Sequence, residues 1–229
     1  MTDKDQLGTR AWPELRDVSG ALLVPVGSVE QHGPHLPLAT DTTIATAVAA
    51  ALPGLHAPAV AFGASGEHEG FAGTMSIGTA ALSSVLVELG RSACRWAPRI
   101  CFVNGHGGNS VAVADAVRLL RFEGRDAGWL PCAVPRADAH AGRTETSLML
   151  HLDPESVRTD LAEAGNTESI AALLPRLRAG GMAAVSANGV LGDPTGASAA
   201  EGERLFEQMV VLAADCFARW APDGFGRLQ

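Results

Sequence analysis

The chain has 229 residues, 47% of them hydrophobic and 18% charged, an ordinary globular balance and enough length for a substantial core. Its 17 Lys+Arg stand singly against 25 Asp+Glu, for a formal net charge of -8, which excludes the basic clusters that nucleic-acid recognition needs. The opening MTDKDQLGTRAWPEL lacks a signal peptide's apolar core and no run of about eighteen apolar residues follows, so a cytosolic protein off the membrane is expected.

In chain order, short apolar runs alternate with helical patterns. ALLVPVG (Ala21 to Gly27) reads as a buried strand, being short, apolar and closed by glycine. The polar GSVEQHGPHLPLATDTT comes next, and a helix from Thr40 to Leu52 opens on TDT, a good N-cap region. HAPAVAF (His56 to Phe62) is a second strand, followed by GASGEHEGF and by apolar residues at helical spacing from Ser83 to Trp96. RICFVNG (Arg99 to Gly105) is the third strand; NGHGGNS then leads to a helix from Ser110 to Gly124, where glycine suits the C-cap. AGWLPCAV (Ala127 to Val134) is the fourth, RADAHAGRTETS precedes a helix running to Leu152, and Glu201 to Trp220 is the last long helix.

No repeat, low-complexity tract or linker divides the chain. The pattern predicts one α/β domain over residues 1–229, a three-layer α/β/α arrangement with a mostly parallel sheet. Cys94, Cys101, Cys132 and Cys216 form no C-x-x-C pair and three lie in apolar runs, so they read as buried free thiols of a reducing compartment.

An open α/β sheet carries its site at the carboxyl ends of its strands. Glu30, His32, His35 and Asp41 follow the first strand; Glu67, His68 and Glu69 the second; His106 the third; Asp138, His140 and Glu145 the fourth. Singly, several have plainer readings: Asp41 as a helix cap, His106 as an exposed loop histidine, Glu145 as a first-turn acid. Glu30 and His32 resist that reading, because residues two apart in an extended segment point the same way. His56 and His151 are assigned to packing. Imidazole and carboxylate without thiolate suit Zn²⁺, Fe²⁺ or Mn²⁺. Five candidate ligands are too many for one catalytic zinc but suffice for two ions about 3.5–4 Å apart sharing a carboxylate, for which Asp41 is the choice. Gly105, Gly107 and Gly108 let the backbone of NGHGGN approach a ligand; the absence of a following Lys excludes a nucleotide phosphate loop.

PVGSVEQHGPHLPLATDT, GEHEGFAGT, NGHGGN and DAHAGRTETS, in this order from Pro25 to Ser147, together resemble the creatininase family of metal-dependent amidohydrolases. Weaker similarity continues through GVLGDPTGASAAEG, from Gly189 to Gly202. The resemblance implies a creatininase-like fold in which Glu30, His32, Asp41, His106 and Glu145 hold two divalent ions, with His140 and Glu145 as catalytic residues and His140 transferring a proton. Glu67, His68, Gly107 and Gly108 would line the substrate pocket. The ions would activate a water and polarise the scissile carbonyl. Family members form closed rings, so a homo-oligomer, a hexamer or larger, is expected. One departure stands out: creatininase itself carries a glutamate where this chain has Gly108, which argues against creatinine as the substrate.

Within the family, APAVAFGASGEHEGFAGTMSIGT, LLRFEGRDAGWLPC and DAHAGRTETSLMLHL are most similar to a branch of peptidases, over nearly the whole chain. That implies, as substrate, a ribosomal precursor peptide modified at its terminal Val-Tyr pair, cut to release a cyclised two-residue core in redox-cofactor biosynthesis. Hydrolysis of a small cyclic amide or formamide is the second reading, and a non-catalytic metal-binding scaffold the third.

Overall fold

The computed structural model describes residues 5–135 and 137–229; the first four residues of the polar N-terminal stretch, and Arg136, lie outside it. Four strands, β1 (Ala21–Val26), β2 (Leu55–His56), β3 (Arg99–Asn104) and β4 (Ala127–Pro131), form a parallel sheet in the order β2-β1-β3-β4. Every residue of β1 is buried, as a strand covered on both faces requires. Its side chains alternate between two apolar layers. Leu22, Val24 and Val26 pack with α2 (Gly78–Ala93) and α3 (Ser110–Phe122) through Leu82, Leu86, Val113 and Val117. Leu23 faces the opposite layer, built by Ile44 and Val48 of α1 (Thr40–Ala50), Leu148 and Met149 of α4 (Arg143–Leu152), and Met209 of α6 (Ala199–Arg219). A further helix, α5 (Ile170–Gly180), packs apart from both with Leu173, Met182, Val185 and Leu191.

The chain leaves β1 toward one edge and β3 toward the other, so their carboxyl ends form the switch point at which such sheets open a crevice. Several boundaries differ from the sequence expectation. The second strand ends at His56, not Phe62, because the donors to β1 slip from every second residue to a gap of three after Ala57, which breaks the regular parallel ladder. The segment nevertheless stays beside β1: Ala57 N–H donates to Leu23 O at 2.8 Å and Val60 N–H to Pro25 O at 2.9 Å. The fourth strand stops at Pro131 rather than Val134, and α2 begins at Gly78, ahead of Ser83. The last helix opens at Ala199 because the Ser198 hydroxyl accepts from Glu201 N–H at 3.3 Å. TDT does not cap α1: the N-cap is Ala39, the Thr40 hydroxyl donates to Pro37 O, and Asp41 turns into the site. Gly124, at φ +82, does lie just past the end of α3, and its N–H donates to Arg121 O. All four cysteines are free, but only Cys101 is fully buried; the other three are half-buried. No helix among the described residues is long and apolar enough to cross a membrane.

Candidate metal centre

The loop after β1 doubles back on itself, with Glu30 N–H donating to Leu38 O at 3.1 Å, and buries Glu30 and His32 completely. Asp41 arrives from the first turn of α1, where the Ser28 hydroxyl donates to its Oδ2 at 2.6 Å. His106 follows β3 directly. Asn109 ties the loops of three strands together: its Oδ1 accepts from Ala64 N–H at 2.7 Å and its Nδ2 donates to Gly27 O at 2.9 Å. Past β4, Ala141 is a buried non-glycine residue at φ +52, and its N–H donates to Glu145 Oε2 at 2.6 Å. A left-handed alanine costs about 1–3 kcal/mol, so its presence beside two site residues points to an imposed geometry.

Among the described residues, three overlapping groups could hold a cation: Glu30 with His32 and His140, Glu30 with Asp41 and His106, and His32 with Asp41 and Glu145. Asp41 is shared in a particular way. Its Oδ1 lies 3.2 Å from His32 Nε2, while its Oδ2 lies 3.3 Å from His106 Nδ1. Glu30 sends Oε2 to within 3.1 Å of His106 Nε2 and Oε1 to within 3.3 Å of His68 Nε2. Neither Glu30 oxygen nor His106 Nε2 has an aligned hydrogen bond, although all three are buried. Proximity without alignment means these atoms converge on a common space rather than on each other. Orphaned buried acceptors of this kind fit a divalent cation, and the oxygen and nitrogen donor set fits Zn²⁺, Fe²⁺ or Mn²⁺. His32 supports this, since its Nδ1–H reaches Glu30 O at 3.1 Å and leaves Nε2 facing Asp41 and Glu145.

The charges are under tension. Burial pushes Glu30 and Glu145 up to about 7. Burial alone would lower His32, but the carboxylates of Asp41, Glu145 and Glu30 outweigh it and push the ring up to about 9. His106 is raised well above its usual value by Glu30, Asp41 and Glu67, again against burial. Asp41 stays well below the usual carboxylate range because His32 and His106 outweigh its burial. His140 falls well below an ordinary histidine through burial and the nearby His32 and His68 rings, and His68 falls to about 4 through burial and His106. These are the separated affinities that reactive sites display.

The cluster forms one wall of a cavity of about 470 Å³ whose lining includes Asp41, His106, His140 and Glu145. Glu67, His68, Gly107 and Gly108 line the same cavity. Gly108 is required there: a Cβ would come within 2.6 Å of Glu67 Oε1 and 2.7 Å of Ala64 O. Other expected residues fall elsewhere. His35 is buried but bonds Thr146 Oγ1 at 2.8 Å, outside the three ligand groups. Asp138 caps α4, accepting from Thr144 N–H at 3.0 Å and from Arg143 N–H, and Glu69 is exposed. His56 bonds Leu52 O and His151 packs on Phe206, so both are packing residues. Sequence reasoning missed Gln31, Ser28 and Asn109, which the motifs contain but whose partners are distant in sequence, and Asn104, whose side chain bonds the nearby His106 backbone and Asn109. It also missed α5, which brings Ile170, Leu174, Leu177 and Arg178 to the cavity.

Residues 9–217 match the creatininase family, described as creatinine amidohydrolase. The mycofactocin precursor peptide peptidase of Mycolicibacterium smegmatis is 60% identical over 232 residues, covering 97% of this chain and 94% of that protein. The protein of the same name from Mycobacterium tuberculosis is 55% identical over 237 residues, with the same coverage of 97% and 94%. Among solved structures, one described as creatininase with Mn superposes with a TM-score of 0.76 at 25% identity, over 96% of this chain and 99% of that one.

Proposed function

This chain belongs to the creatininase family, and on that premise we propose that it cleaves the modified mycofactocin precursor peptide, releasing the Val-Tyr-derived cyclised core. It is a hydrolase of C–N bonds. We take residues 1–229 as a single domain for this activity, with two divalent ions held by Glu30, His32, Asp41, His106 and Glu145. Asp41 would be the ligand common to both. The observation that carries the reading is that the two oxygens of Asp41 face different imidazoles beside the orphaned oxygens of Glu30.

Bound there, such ions supply Lewis acidity and lower the pKa of water towards neutrality. The protein's own groups do the rest. His140, kept neutral by burial, moves a proton to the departing amine. Glu145, which keeps 23% of its side-chain surface, is both ligand and catalytic carboxylate at the cavity wall. Glu67, His68, Gly107 and Gly108 face the substrate, while Ile170, Leu174 and Leu177 supply an apolar side suited to a Val-Tyr-derived group. Gly108 and the width of this cavity favour a peptide over creatinine or another small cyclic amide. Fe²⁺ and Zn²⁺, or Mn²⁺, are the proposed metals. A cytoplasmic homo-oligomer, hexameric or larger, is proposed by family likeness, and Phe122, Val111 and Phe225 offer it an exposed apolar face.

The test is incubation of metal-loaded protein with modified and unmodified precursor, with creatinine alongside, read by mass spectrometry for the two-residue product. The modified peptide should be cut and the unmodified one poorly, because a ring holds the scissile amide in place while a free terminus must first be ordered. A chelator should abolish cleavage. Hydrolysis of creatinine with neither peptide touched would reject the assignment.

A further inference from the structure

Gln31 sits between Glu30 and His32 in sequence, yet its buried amide reaches two other rings, His68 and His140. Its orientation follows from its partners. Gly33 N–H donates to Oε1 at 2.9 Å, so the oxygen must be on that side; a flipped amide would set donor against donor. Gly189, at φ +77, leaves the room, because a Cβ there would collide with the amide.

The amide nitrogen then has three neighbours for two hydrogens: His68 Nδ1 at 2.8 Å, Gly189 O at 3.1 Å and His140 Nε2 at 3.1 Å. A fourth contact decides among them. The backbone carbonyl of Gln31 lies 2.8 Å from His140 Nε2 and can only accept, so that nitrogen carries a hydrogen and is closed to the amide. The amide hydrogens therefore go to Gly189 O and to His68 Nδ1. His68 Nδ1 must be bare, since a second hydrogen there would face a donor. The ring's proton sits on Nε2, 3.3 Å from Glu30 Oε1.

We propose that Gln31 is a positioning residue that sets both tautomers: His68 as Nε2–H on the side of Glu30, and His140 as Nε2–H with a bare Nδ1 toward the cation-binding cluster. His140 Nδ1 is 3.9 Å from Glu30 Oε1 and belongs with Glu30 and His32 in one of the groups able to hold a cation. With Nε2 occupied by its hydrogen, Nδ1 is the ring nitrogen that His140 presents to the cluster, and the His68 nitrogen that carries the hydrogen lies 3.3 Å from the Glu30 carboxylate. The His140 Nε2–H and the bare His68 Nδ1 rest on hydrogen bonding, and the bare His140 Nδ1 on that bond together with the neutral state of the buried ring; only their use in amide cleavage rests on the proposed function.

Ring ¹⁵N shifts of the metal-free protein separate the two tautomers directly. Wild type should show Nε2–H for both His68 and His140. In Gln31→Glu, a carboxylate oxygen replaces the amide nitrogen, so His68 must gain a hydrogen at Nδ1 while His140 stays Nε2–H on the backbone carbonyl. With precursor as substrate, kcat should fall about 10–100-fold at little cost in KM, since Gln31 does not line the cavity. A wild-type His68 protonated at Nδ1 overturns the proposal, as do unchanged His68 shifts in Gln31→Glu. If that variant fails to fold, the wild-type spectrum still decides. Failure of the proposed function would instead leave no protein cutting the precursor, with the ring spectra unaffected.

Discussion

Gly108→Ala adds one methyl group where the structure has no room for it. The backbone there is not left-handed, so the cost is steric rather than conformational. The new Cβ would lie 2.6 Å from Glu67 Oε1 and 2.7 Å from Ala64 O, and His106 Nε2 would be closer still. Ordinary contact begins at 3.4 Å, so Glu67 would retreat by about 0.8 Å and His106 by more. Ala64 is a backbone oxygen in a loop tied down by Asn109, and cannot swing away. Overpacking of this kind costs about 1–3 kcal/mol, and at about 2–4 °C per kcal/mol the metal-free Tm should fall by about 2–12 °C. The larger effect falls on the ligand: metal–ligand distances tolerate about 0.2 Å, and misplacing a reacting group by about 1 Å costs about 10²-fold in rate. Calorimetry, metal analysis after gel filtration and peptide hydrolysis measure the three. Gly107→Ala, whose Cβ would meet nothing within 4 Å, is the stability control. Wild-type metal content and turnover in Gly108→Ala would show that His106 is not held where the argument requires.

Asp41→Asn keeps the shape and removes the charge; if Asp41 bridges, affinity at both metal positions should fall at least about tenfold in a calorimetric titration, and loss at only one would reject the bridge. His140→Ala should keep metal content near wild type while slowing turnover by about 10²–10⁴-fold, and parallel loss of metal and activity would make His140 a ligand instead. In the metal-free protein, burial lowers His32 but the surrounding carboxylates hold it at about 9, against 6.5 for the ordinary ring. A raised folded-state pKa stabilises fully below the unfolded value and is lost as pH climbs through the folded one, so the metal-free Tm should drop between pH 7 and 9. Protein loaded with metal, which has exchanged that proton for a cation, should not show the drop in thermal scans; parallel curves would refute the exchange.

What the sequence disclosed follows from the range of the forces involved. The apolar runs of β1 and β3 and the ends of α3 and α4 are set locally, by burial on both faces and by Gly124, and they were legible. The carboxyl-end rule then placed Glu30, Asp41, His106 and Glu145 at one edge without any coordinates. A slip of the ladder after Ala57, where Val60 rather than Ala59 donates to β1, ends β2, and a count of apolar residues overlooks it. The helix α5 was obscured because its buried face is short, with Leu173 alone fully enclosed, and because Pro175 interrupts its pattern. Asp41 looked as much like a helix cap as a ligand. The 2.6 Å bond from Ser28, thirteen positions back, and the His32 and His106 rings beside its two oxygens show that it faces away from its own helix end. Gln31 was hidden for the same reason, since His140, which donates to its backbone carbonyl, lies 109 residues away.

The site is costly, and the fold places that cost where it can be met. Two apolar layers clamp β1 and β3, so the loops at their carboxyl ends start from fixed points. Asn109 then binds three of those loops together, and Ala141 accepts a left-handed backbone to deliver its N–H to Glu145. Glu30 remains buried with both oxygens orphaned. An unpaired buried carboxylate costs several kcal/mol, so without a cation the cluster holds protons instead, which is why Glu30 and Glu145 stand near 7. A ligand present at a thousand times its Kd returns about 4 kcal/mol, on the scale of that cost. The same atoms that destabilise the metal-free chain are therefore the ones whose pairing with a cation stabilises it, and folding stability and metal affinity should rise and fall together across variants of this cluster.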